Sequence, residues 1–189
     1  MKADLTDYNV TPLRKVLAAY PQDYLSKTLS SFSCERDKDV ESFLKDKAIM
    51  YEKRHLSRTY LMFAENETRD LDAYFTVAVS SMDVSSLECS NELRKKMNIN
   101  DGFAQSYLIG QLGKRDGSPS GLGRSALLCA MEVIKGANLK AGCRVVTLDC
   151  KPSLVKYYAD NGFADVGKNE KNGLRRMARI ISTDAAVPQ

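Results

Sequence analysis

A loop of small residues constrains the fold of this chain more than any other feature of its sequence. The loop reads Gly117-Ser-Pro-Ser-Gly-Leu-Gly-Arg-Ser125, follows a strand-like run over residues 107–113, and leads into an amphipathic helix over 126–134. Glycine lets the backbone approach a ligand closely, and the first N–H groups of a helix, with the helix dipole, favour a negative charge. The sequence therefore predicts a strand–loop–helix unit that binds an anion such as a phosphate.

The composition is that of one globular domain. The chain has 189 residues, of which 43% are hydrophobic and 28% are charged, and this length is enough to bury a single core. No apolar run approaches the roughly 20 residues that a membrane helix needs, and the N-terminus lacks the apolar segment of a signal peptide. We therefore expect a cytoplasmic protein that does not interact with a membrane.

The cysteines agree with that location. Their number is odd and no two of them form a Cys-x-x-Cys pair, which predicts free thiols in a reducing compartment and no zinc site. They are Cys34, Cys89, Cys129, Cys143 and Cys150. The buried-looking Cys150 is interpreted as a small hydrophobic residue.

Basic residues are unevenly distributed in a chain whose net charge is +4. They form three clusters, within 45–58, at 94–96 and within 168–179. Solvated surfaces explain such clusters, and nucleic-acid binding is the alternative.

Periodicity predicts an α/β fold with a mixed sheet. Apolar residues at helical spacing predict a short leading helix before Pro21 and a second helix from Val40. Two runs rich in strand-forming residues, 59–64 and 71–79, flank a polar turn and predict an antiparallel hairpin. The remaining predicted elements are a strand over 106–114, a helix over 123–135, a strand over 143–150, a helix over 153–161 and a strand over 174–181. The strand–helix–strand order predicts a parallel crossover.

Two common phosphate loops do not fit the sequence. A Walker loop requires Gly-Lys-Ser/Thr at the start of the helix, where this chain has Gly123-Arg-Ser125. A dinucleotide fingerprint requires a third glycine that Gly121-Leu-Gly123 lacks. The loop also follows a strand in the middle of the chain, after a hairpin.

This organisation resembles that of the GNAT acetyltransferases, which hold the pyrophosphate of acetyl-CoA on such a loop. The resemblance implies a GNAT-like acyl-CoA N-acyltransferase fold, with N-terminal helices and an antiparallel hairpin before a β-loop-α-β-α-β core. It also implies that the strands 107–114 and 143–150 splay apart to admit the thioester. Members often carry a tyrosine shortly before a Gly-Phe pair, and Tyr158 stands at that position before Gly162-Phe163.

A closer resemblance is to the GNAT toxins of bacterial toxin–antitoxin systems, which acetylate aminoacyl-tRNA. Phe32-Ser-Cys34, the helix from Val40 and Ser57-Arg-Thr-Tyr60 resemble their opening segment, and 73–78 resembles their second strand. We expect an N-terminal extension over 1–31, an acetyltransferase domain over 32–181 and a flexible tail over 182–189. The resemblance implies an aminoacyl-tRNA acceptor and a small antitoxin as partners, and we also expect a homodimer.

The site residues follow from the resemblance. Tyr158 is the predicted general acid, since a phenol with an ordinary pKa near 10 stays protonated at neutral pH; packing of its ring is the alternative role. The predicted residues for acetyl-CoA binding are Leu112, Gly113, Lys114, Ser120, Gly121, Leu122, Gly123, Arg124 and Ser125. The N–H groups of Leu112, Gly113 or Lys114 would polarise the thioester carbonyl, although a structural bulge explains Gly113 equally well. No metal is predicted.

The sequence departs from the family pattern at two places. Aligning Gly121 with the last glycine of the family loop places Asp116 at its first position and Pro119 at its first glycine, and proline has no N–H to donate. Lys151-Pro152 stands where members often have an asparagine.

Two other functions stay open at this stage. One is an acetyltransferase for a small amine or a protein lysine, and the other is a non-catalytic binding module on the same scaffold. A Ser-His-Asp hydrolase is disfavoured because the only histidine, His55, lies outside the predicted core, where a surface role is expected.

Overall fold

The structure is a computed structural model that describes residues 8–66, 69–85 and 87–181. The described residues form two compact units, one of 8–78 with 109–133 and one of 79–108 with 134–181. The predicted tail, 182–189, lies outside the described residues. No helix in the described part of the chain is long and apolar enough to cross a membrane.

The first unit combines a sheet with helices from the N-terminal half of the chain. Its strands lie in the order β1 (Tyr8–Pro12), β2 (Arg58–Ala64), β3 (Leu71–Asp83) and β5 (Phe103–Lys114). Both β1 and β3 pair with β2 in antiparallel fashion. The predicted hairpin is thus confirmed as β2 and β3, whereas β1 was not predicted. The elements are β1 (Tyr8–Pro12), α1 (Leu13–Ala19), α2 (Gln22–Ser30), α3 (Lys38–Ser42), a π-helical turn (Phe43–Lys47), α4 (Ala48–Lys53), β2 (Arg58–Ala64) and β3 (Leu71–Asp83). Strand β3 is divided between the units, and its residues up to 78 belong to the first.

The described part of the predicted N-terminal extension contributes to the core of this unit. Leu13 and Val16 of α1 and Leu25 and Leu29 of α2 are buried in one cluster with Phe32. Their spacing puts each pair on one helix face. The helix predicted before Pro21 is therefore present, and its buried face packs into the core.

Glu41 of α3 joins the helix to the segment that precedes it. Its carboxylate accepts hydrogen bonds from Lys45 Nζ at 2.8 Å, from the Cys34 N–H at 2.8 Å and from Lys38 Nζ at 3.1 Å. These three donors lower the pKa of the Glu41 carboxyl to about 2.

A lowered carboxyl pKa stabilises the folded chain above the unfolded pKa, roughly 4.3 for glutamate. We expect Glu41→Gln to lower the melting temperature by a constant amount above about pH 5 and by progressively less as the pH falls towards 2. Thermal unfolding of both proteins followed by circular dichroism between pH 7 and pH 2 measures this difference. A difference that persists unchanged at pH 2 would contradict the assignment.

The second unit contains a mixed sheet. Its strands lie in the order β3, β5, β6 (Val145–Cys150), β8 (Arg175–Ile180) and β7 (Ala164–Lys168). β5 and β6 pair in parallel through Tyr107↔Val146 and Leu108↔Thr147. β8 pairs with both β6 and β7 in antiparallel fashion. The predicted parallel strand pair and mixed sheet are confirmed. The elements introduced here are α5 (Asn91–Lys96), β4 (Ile99–Asn100), β5 (Phe103–Lys114), α6 (Leu122–Asn138), β6 (Val145–Cys150), a 3-10 turn (Pro152–Leu154), α7 (Val155–Asp160), β7 (Ala164–Lys168) and β8 (Arg175–Ile180).

Parts of β5 and α6 belong to the first unit, namely Ile109–Lys114 and 122–133. Within the second unit, two methionines, three valines and two alanines form one buried core cluster, which includes Val145, Val166 and Ala178. Val145 and Val146 are both buried. The continuous apolar run in the sequence predicted this burial, because it is typical of a strand that is covered on two faces. The β7 strand was not predicted; four of its residues pair with β8, with a register shift between Asp165 and Gly167.

Candidate active site

The predicted acetyl-CoA-binding residues all lie in the first unit, from the end of β5 to the start of α6, and Tyr158 lies in the second unit. Leu112 and Lys114 are partly exposed and Gly113 is buried. A side chain at position 113 would collide with Val40 of α3 and come within 3.4 Å of Tyr74 of β3. Close packing by Val40 thus gives a structural reason for a glycine at this position.

The turn after β5 is anchored by ion pairs. The Arg115 guanidinium contacts Asp72 at 2.6 and 3.0 Å and Asp70 at 3.1 Å, and its backbone N–H donates to the Asp72 carbonyl at 2.7 Å. The hydroxyl of Ser118 closes the turn by donating to the Arg115 carbonyl at 2.7 Å. Since Asp72 is only 4% exposed, this pair fixes where the loop leaves β5.

Asp116 and Lys114 are occupied by local contacts. The Asp116 carboxylate accepts the Glu35 N–H at 2.9 Å, and its own N–H donates to the Ser33 carbonyl at 2.9 Å. Lys114 Nζ donates to the carbonyl and hydroxyl oxygens of Ser118, both at 3.3 Å. Asp116 therefore fixes the segment before α3 through two hydrogen bonds, to Ser33 and Glu35.

The loop turns into α6 at Gly121, whose φ of +87° is in the left-handed region that favours glycine. The Gly121 carbonyl accepts the N–H groups of Arg124 at 2.9 Å and Ser125 at 3.2 Å. Helix geometry leaves the earlier N–H groups, those of Leu122 and Gly123, without an acceptor inside the helix. Since α6 has 17 residues, its dipole adds to the attraction of an anion at this end.

The side chains around that turn differ in exposure. Ser120 and the Arg124 guanidinium are exposed, so both can reach a ligand, whereas Leu122 and Ser125 are buried. The residues that fit a pyrophosphate are therefore the exposed Ser120, the backbone of Gly121, Leu122 and Gly123, and the side chain of Arg124. The backbone N–H groups of Arg124 and Ser125 are engaged within the helix.

Tyr158 is held between two aromatic neighbours within the second unit. Its ring, 7% exposed, makes edge contacts with Tyr157 at 5.0 Å and Phe163 at 6.0 Å between ring centroids. The carbonyl of Tyr158 accepts the N–H of Phe163 at 3.1 Å across Gly162, whose φ is +84°. The Gly162-Phe163 pair thus ends α7 and sets the orientation of the tyrosine.

Arg179 of β8 contacts the segment that follows α7. Its guanidinium lies 6.0 Å from the centre of the Phe163 ring and donates to the Asn161 carbonyl at 3.1 Å. A cation over an aromatic face is a favourable contact. This arginine was interpreted from sequence only as part of a basic cluster.

Two further arginines of β8 are neutralised by neighbouring acids. Arg176 makes a bidentate pair with Asp149 of β6 at 2.9 and 3.1 Å, and Arg175 contacts Asp165 at 2.9 Å. Burial raises the pKa of the Asp149 carboxyl, but hydrogen bonds from Arg176 and Asn169 outweigh it and hold that pKa below its ordinary value. These charges stabilise the sheet of this unit.

The basic segment 45–58 is partly neutralised as well. Lys45 pairs with Glu41 at 2.8 Å, and Arg58 pairs with the buried Glu52 at 2.8 Å. His55 is exposed and its Nδ1 lies 2.7 Å from Arg58, consistent with the surface role expected for it. The exposed cations of this segment are Lys47, Lys53 and Arg54.

The chemistry of the cysteines is limited by their surroundings. Cys150 is buried, and burial raises the pKa of its thiol to about 11, so the thiol stays protonated.

Among the residues that the structure describes, no group of three or more His, Cys, Asp or Glu side chains could hold a metal ion.

Comparison with known proteins reveals similar folds. No protein-family model and no curated protein match this sequence. Similar solved structures include a tyrosine-to-phenylalanine mutant of KacT (TM-score 0.70, 18% identity, 90% of this chain and 94% of KacT covered). AtaT complexed with acetyl-methionyl-tRNAfMet matches with a TM-score of 0.69, 19% identity and coverage of 89% and 94%. The chain has a GNAT toxin-like fold.

A third similar structure is a tyrosine-to-phenylalanine mutant of the toxin AtaT bound to the C-terminus of the antitoxin AtaR and acetyl-CoA. It has a TM-score of 0.64 and 15% identity, and the match covers 92% of this chain and 93% of AtaT. The GNAT-like fold with a mixed sheet, predicted from the sequence, is thereby confirmed.

Three residues that were not predicted as site residues contact the end of β5. Val40 and Tyr74 pack on Gly113, and Thr76 of β3 accepts a hydrogen bond from the Gln111 N–H at 2.8 Å. Val40 and Thr76 were noted only as members of a helix and a strand, because nothing in a periodic pattern indicates which distant backbone a buried residue touches.

Proposed function

We propose that this chain is an acetyl-CoA-dependent N-acetyltransferase that acetylates the α-amine of aminoacyl-tRNA and thereby inhibits translation. The observation that carries the proposal is the left-handed turn at Gly121, which leads directly into the 17-residue helix α6. The first-turn N–H groups of a helix have no acceptor inside it and stand at its positive end. A pyrophosphate is a suitable anion for this position. The acetyl-CoA bound by AtaT, a protein of similar fold, supports the choice of donor.

In the proposed reaction, acetyl-CoA supplies the acetyl group as a thioester. The N–H groups of Leu112 and Gly113 would stabilise the negative charge on the carbonyl oxygen as the substrate amine forms its bond to the carbonyl carbon. As the C–S bond breaks, Tyr158 would donate its phenolic proton to the CoA sulfur and regain one from water. The amine loses one proton to water, so that an amide and CoA-SH are the products.

The acceptor is chosen from the chemistry of amines. An α-amine has a pKa of about 8 and is partly neutral at pH 7, whereas a lysine amine, with a pKa of about 10.4, is almost fully charged. The only histidine, His55, is exposed and bound to Arg58, so it is not assigned as a base. A reaction without a strong base therefore favours the α-amine as acceptor. The complex of AtaT with acetyl-methionyl-tRNAfMet supports an aminoacyl-tRNA as the molecule that carries this amine.

The proposal includes a protein partner. AtaT binds the C-terminus of an antitoxin, and we propose that a small antitoxin likewise binds this chain. Homodimer formation remains a prediction, which analytical ultracentrifugation of the purified chain tests.

An acetyltransferase that uses small amines or protein lysines is the second candidate function. Four basic residues of the clusters pair with acids, namely Lys45, Arg58, Arg175 and Arg176. This pairing favours the second candidate, because neutralised cations contribute less to binding a polyanion. Turnover of acetyl-CoA with charged tRNA, polyamines and lysine peptides as acceptors distinguishes the two.

Binding of acetyl-CoA is the first test, and the loop offers a matched pair of variants. Gly121 and Gly117 both have left-handed φ angles, +87° and +77°, but only Gly121 lies at the start of α6. Alanine at either position carries strain of about 1–2 kcal/mol. We expect Gly121→Ala to weaken acetyl-CoA binding roughly tenfold and Gly117→Ala to have a much smaller effect, both measured by titration calorimetry.

Equal losses in both variants would contradict the assignment of the anion site to the start of α6. A wild-type chain that binds no acetyl-CoA would overturn the proposed function and favour a non-catalytic binding module.

A further inference from the structure

The hydrogen bond at Gln111 departs from a regular strand ladder. Backbone N–H groups in a sheet normally donate to the carbonyl of the neighbouring strand, but the N–H of Gln111 donates to the side-chain hydroxyl of Thr76 at 2.8 Å. The two strands, β3 and β5, are neighbours in the sheet. Thr76 is 1% exposed, so solvent does not compete for this bond. The Gln111 peptide is therefore held by a hydrogen bond to one buried side chain.

A second residue on the same face of β3, Tyr74, lies close to Gly113 of β5. Tyr74 and Thr76 are two positions apart and project to the same side of the strand. The Tyr74 hydroxyl donates to the Val40 carbonyl at 2.6 Å, and Val40 packs on Gly113. Burial raises the pKa of Tyr74, so its hydroxyl stays protonated and keeps donating. The segment 111–113 is thus held at its first residue by Thr76 and at its last by Val40.

Thr59 provides an internal comparison. It lies directly opposite Thr76 in the register of β2 and β3, is fully buried, and its hydroxyl has no hydrogen-bond partner among the described residues. Two buried threonines therefore stand side by side, and only the hydroxyl of Thr76 contacts the backbone of β5.

We propose that Thr76 is a positioning residue that orients the N–H groups of Leu112 and Gly113 through its hydrogen bond to Gln111. This inference rests on the proposed function, which assigns those N–H groups to the thioester carbonyl. A hydroxyl in this role differs from one that only stabilises the core, because its loss changes the direction of donors that act during the reaction. An error of about 1 Å in such a group can lower a rate by about two orders of magnitude.

The experiment compares Thr76→Val with Thr59→Val. Valine keeps the branched shape and removes the hydroxyl in both cases. We expect Thr76→Val to lower kcat for acetyl transfer by about 10- to 100-fold while leaving KM for acetyl-CoA within about twofold, because the loop 117–125 is unchanged. Thr59→Val is expected to retain wild-type kcat. Thr76→Ser, which restores an acceptor, should recover most of the activity.

Amide hydrogen exchange followed by NMR gives a readout that does not depend on activity. The Gln111 N–H should exchange about tenfold or more faster in Thr76→Val than in the wild type and be unchanged in Thr59→Val. Equal kcat in the two valine variants, or unaltered exchange at Gln111, would overturn the positioning role alone. A wild-type chain that transfers no acetyl group to any amine would instead overturn the proposed function, and the positioning role with it.

Discussion

Tyr158→Phe is expected to lower the rate of acetyl transfer by two to four orders of magnitude and to leave the fold intact. The substitution removes the proton that the proposed reaction delivers to the CoA sulfur, and a positioned general acid contributes about 10²- to 10⁴-fold. The ring contacts with Tyr157 and Phe163 need no hydroxyl, so they persist in phenylalanine. Steady-state release of free CoA thiol measures the rate.

Tyr157→Phe is the matched control for this prediction. It removes a hydroxyl from the neighbouring residue, whose ring makes a 5.0 Å edge contact with that of Tyr158. We expect it to retain a rate within a few-fold of the wild type. A Tyr158→Phe enzyme as active as Tyr157→Phe would show that Tyr158 only packs, which is the alternative left open by the sequence.

Gly113→Ala is expected to destabilise the fold severely, by about 1–3 kcal/mol or more. The added methyl group would overlap the Val40 side chain, which is β-branched and therefore stiff, and the backbone of Val40 is fixed by the Tyr74 hydroxyl. Neither neighbour can move aside without breaking a buried contact. Chemical denaturation of the purified proteins measures the free energy of unfolding.

Two further variants sharpen that experiment. Val40→Ala should recover part of the stability when combined with Gly113→Ala, because it removes the atoms that collide. Gly136→Ala, inside α6 with no atom within 4 Å of the new methyl group, should instead stabilise the chain by about 0.5–1 kcal/mol through helix propensity. If Gly113→Ala unfolds at the same denaturant concentration as the wild type, the packing described around β5 is wrong.

The parts of the fold that the sequence predicted have long periodic patterns. The hairpin of β2 and β3, the parallel pair of β5 and β6, and helix α6 each contain enough strand-forming or helically spaced residues to be assigned locally. The strands β1 and β7 were missed because each has five residues, and Pro12 and Gly167 within them are poor strand formers. Their pairing with β2 and β8 outweighs those local preferences.

The candidate site was predicted in part for the same reason. The glycine-rich loop and Tyr158 before Gly162-Phe163 are local patterns that a sequence displays. The residues that hold β5 in place are distant in the chain, since 34 positions separate Tyr74 from Val40 and 35 separate Gln111 from Thr76. The ion pair between Arg176 and Asp149, which are 27 positions apart, could not be predicted from the sequence for the same reason. A cluster of basic residues in the sequence therefore includes cations that distant acids neutralise in the structure.

Transfer of a labelled acetyl group to charged tRNA tests the central claim most directly. The purified chain is incubated with labelled acetyl-CoA and with aminoacyl-tRNA, uncharged tRNA, a polyamine or a lysine peptide. The proposed function predicts label on the α-amine of the aminoacyl-tRNA, none on uncharged tRNA, and at least tenfold slower labelling of the other amines. Labelling of the polyamine or the peptide with charged tRNA left unmodified would contradict it.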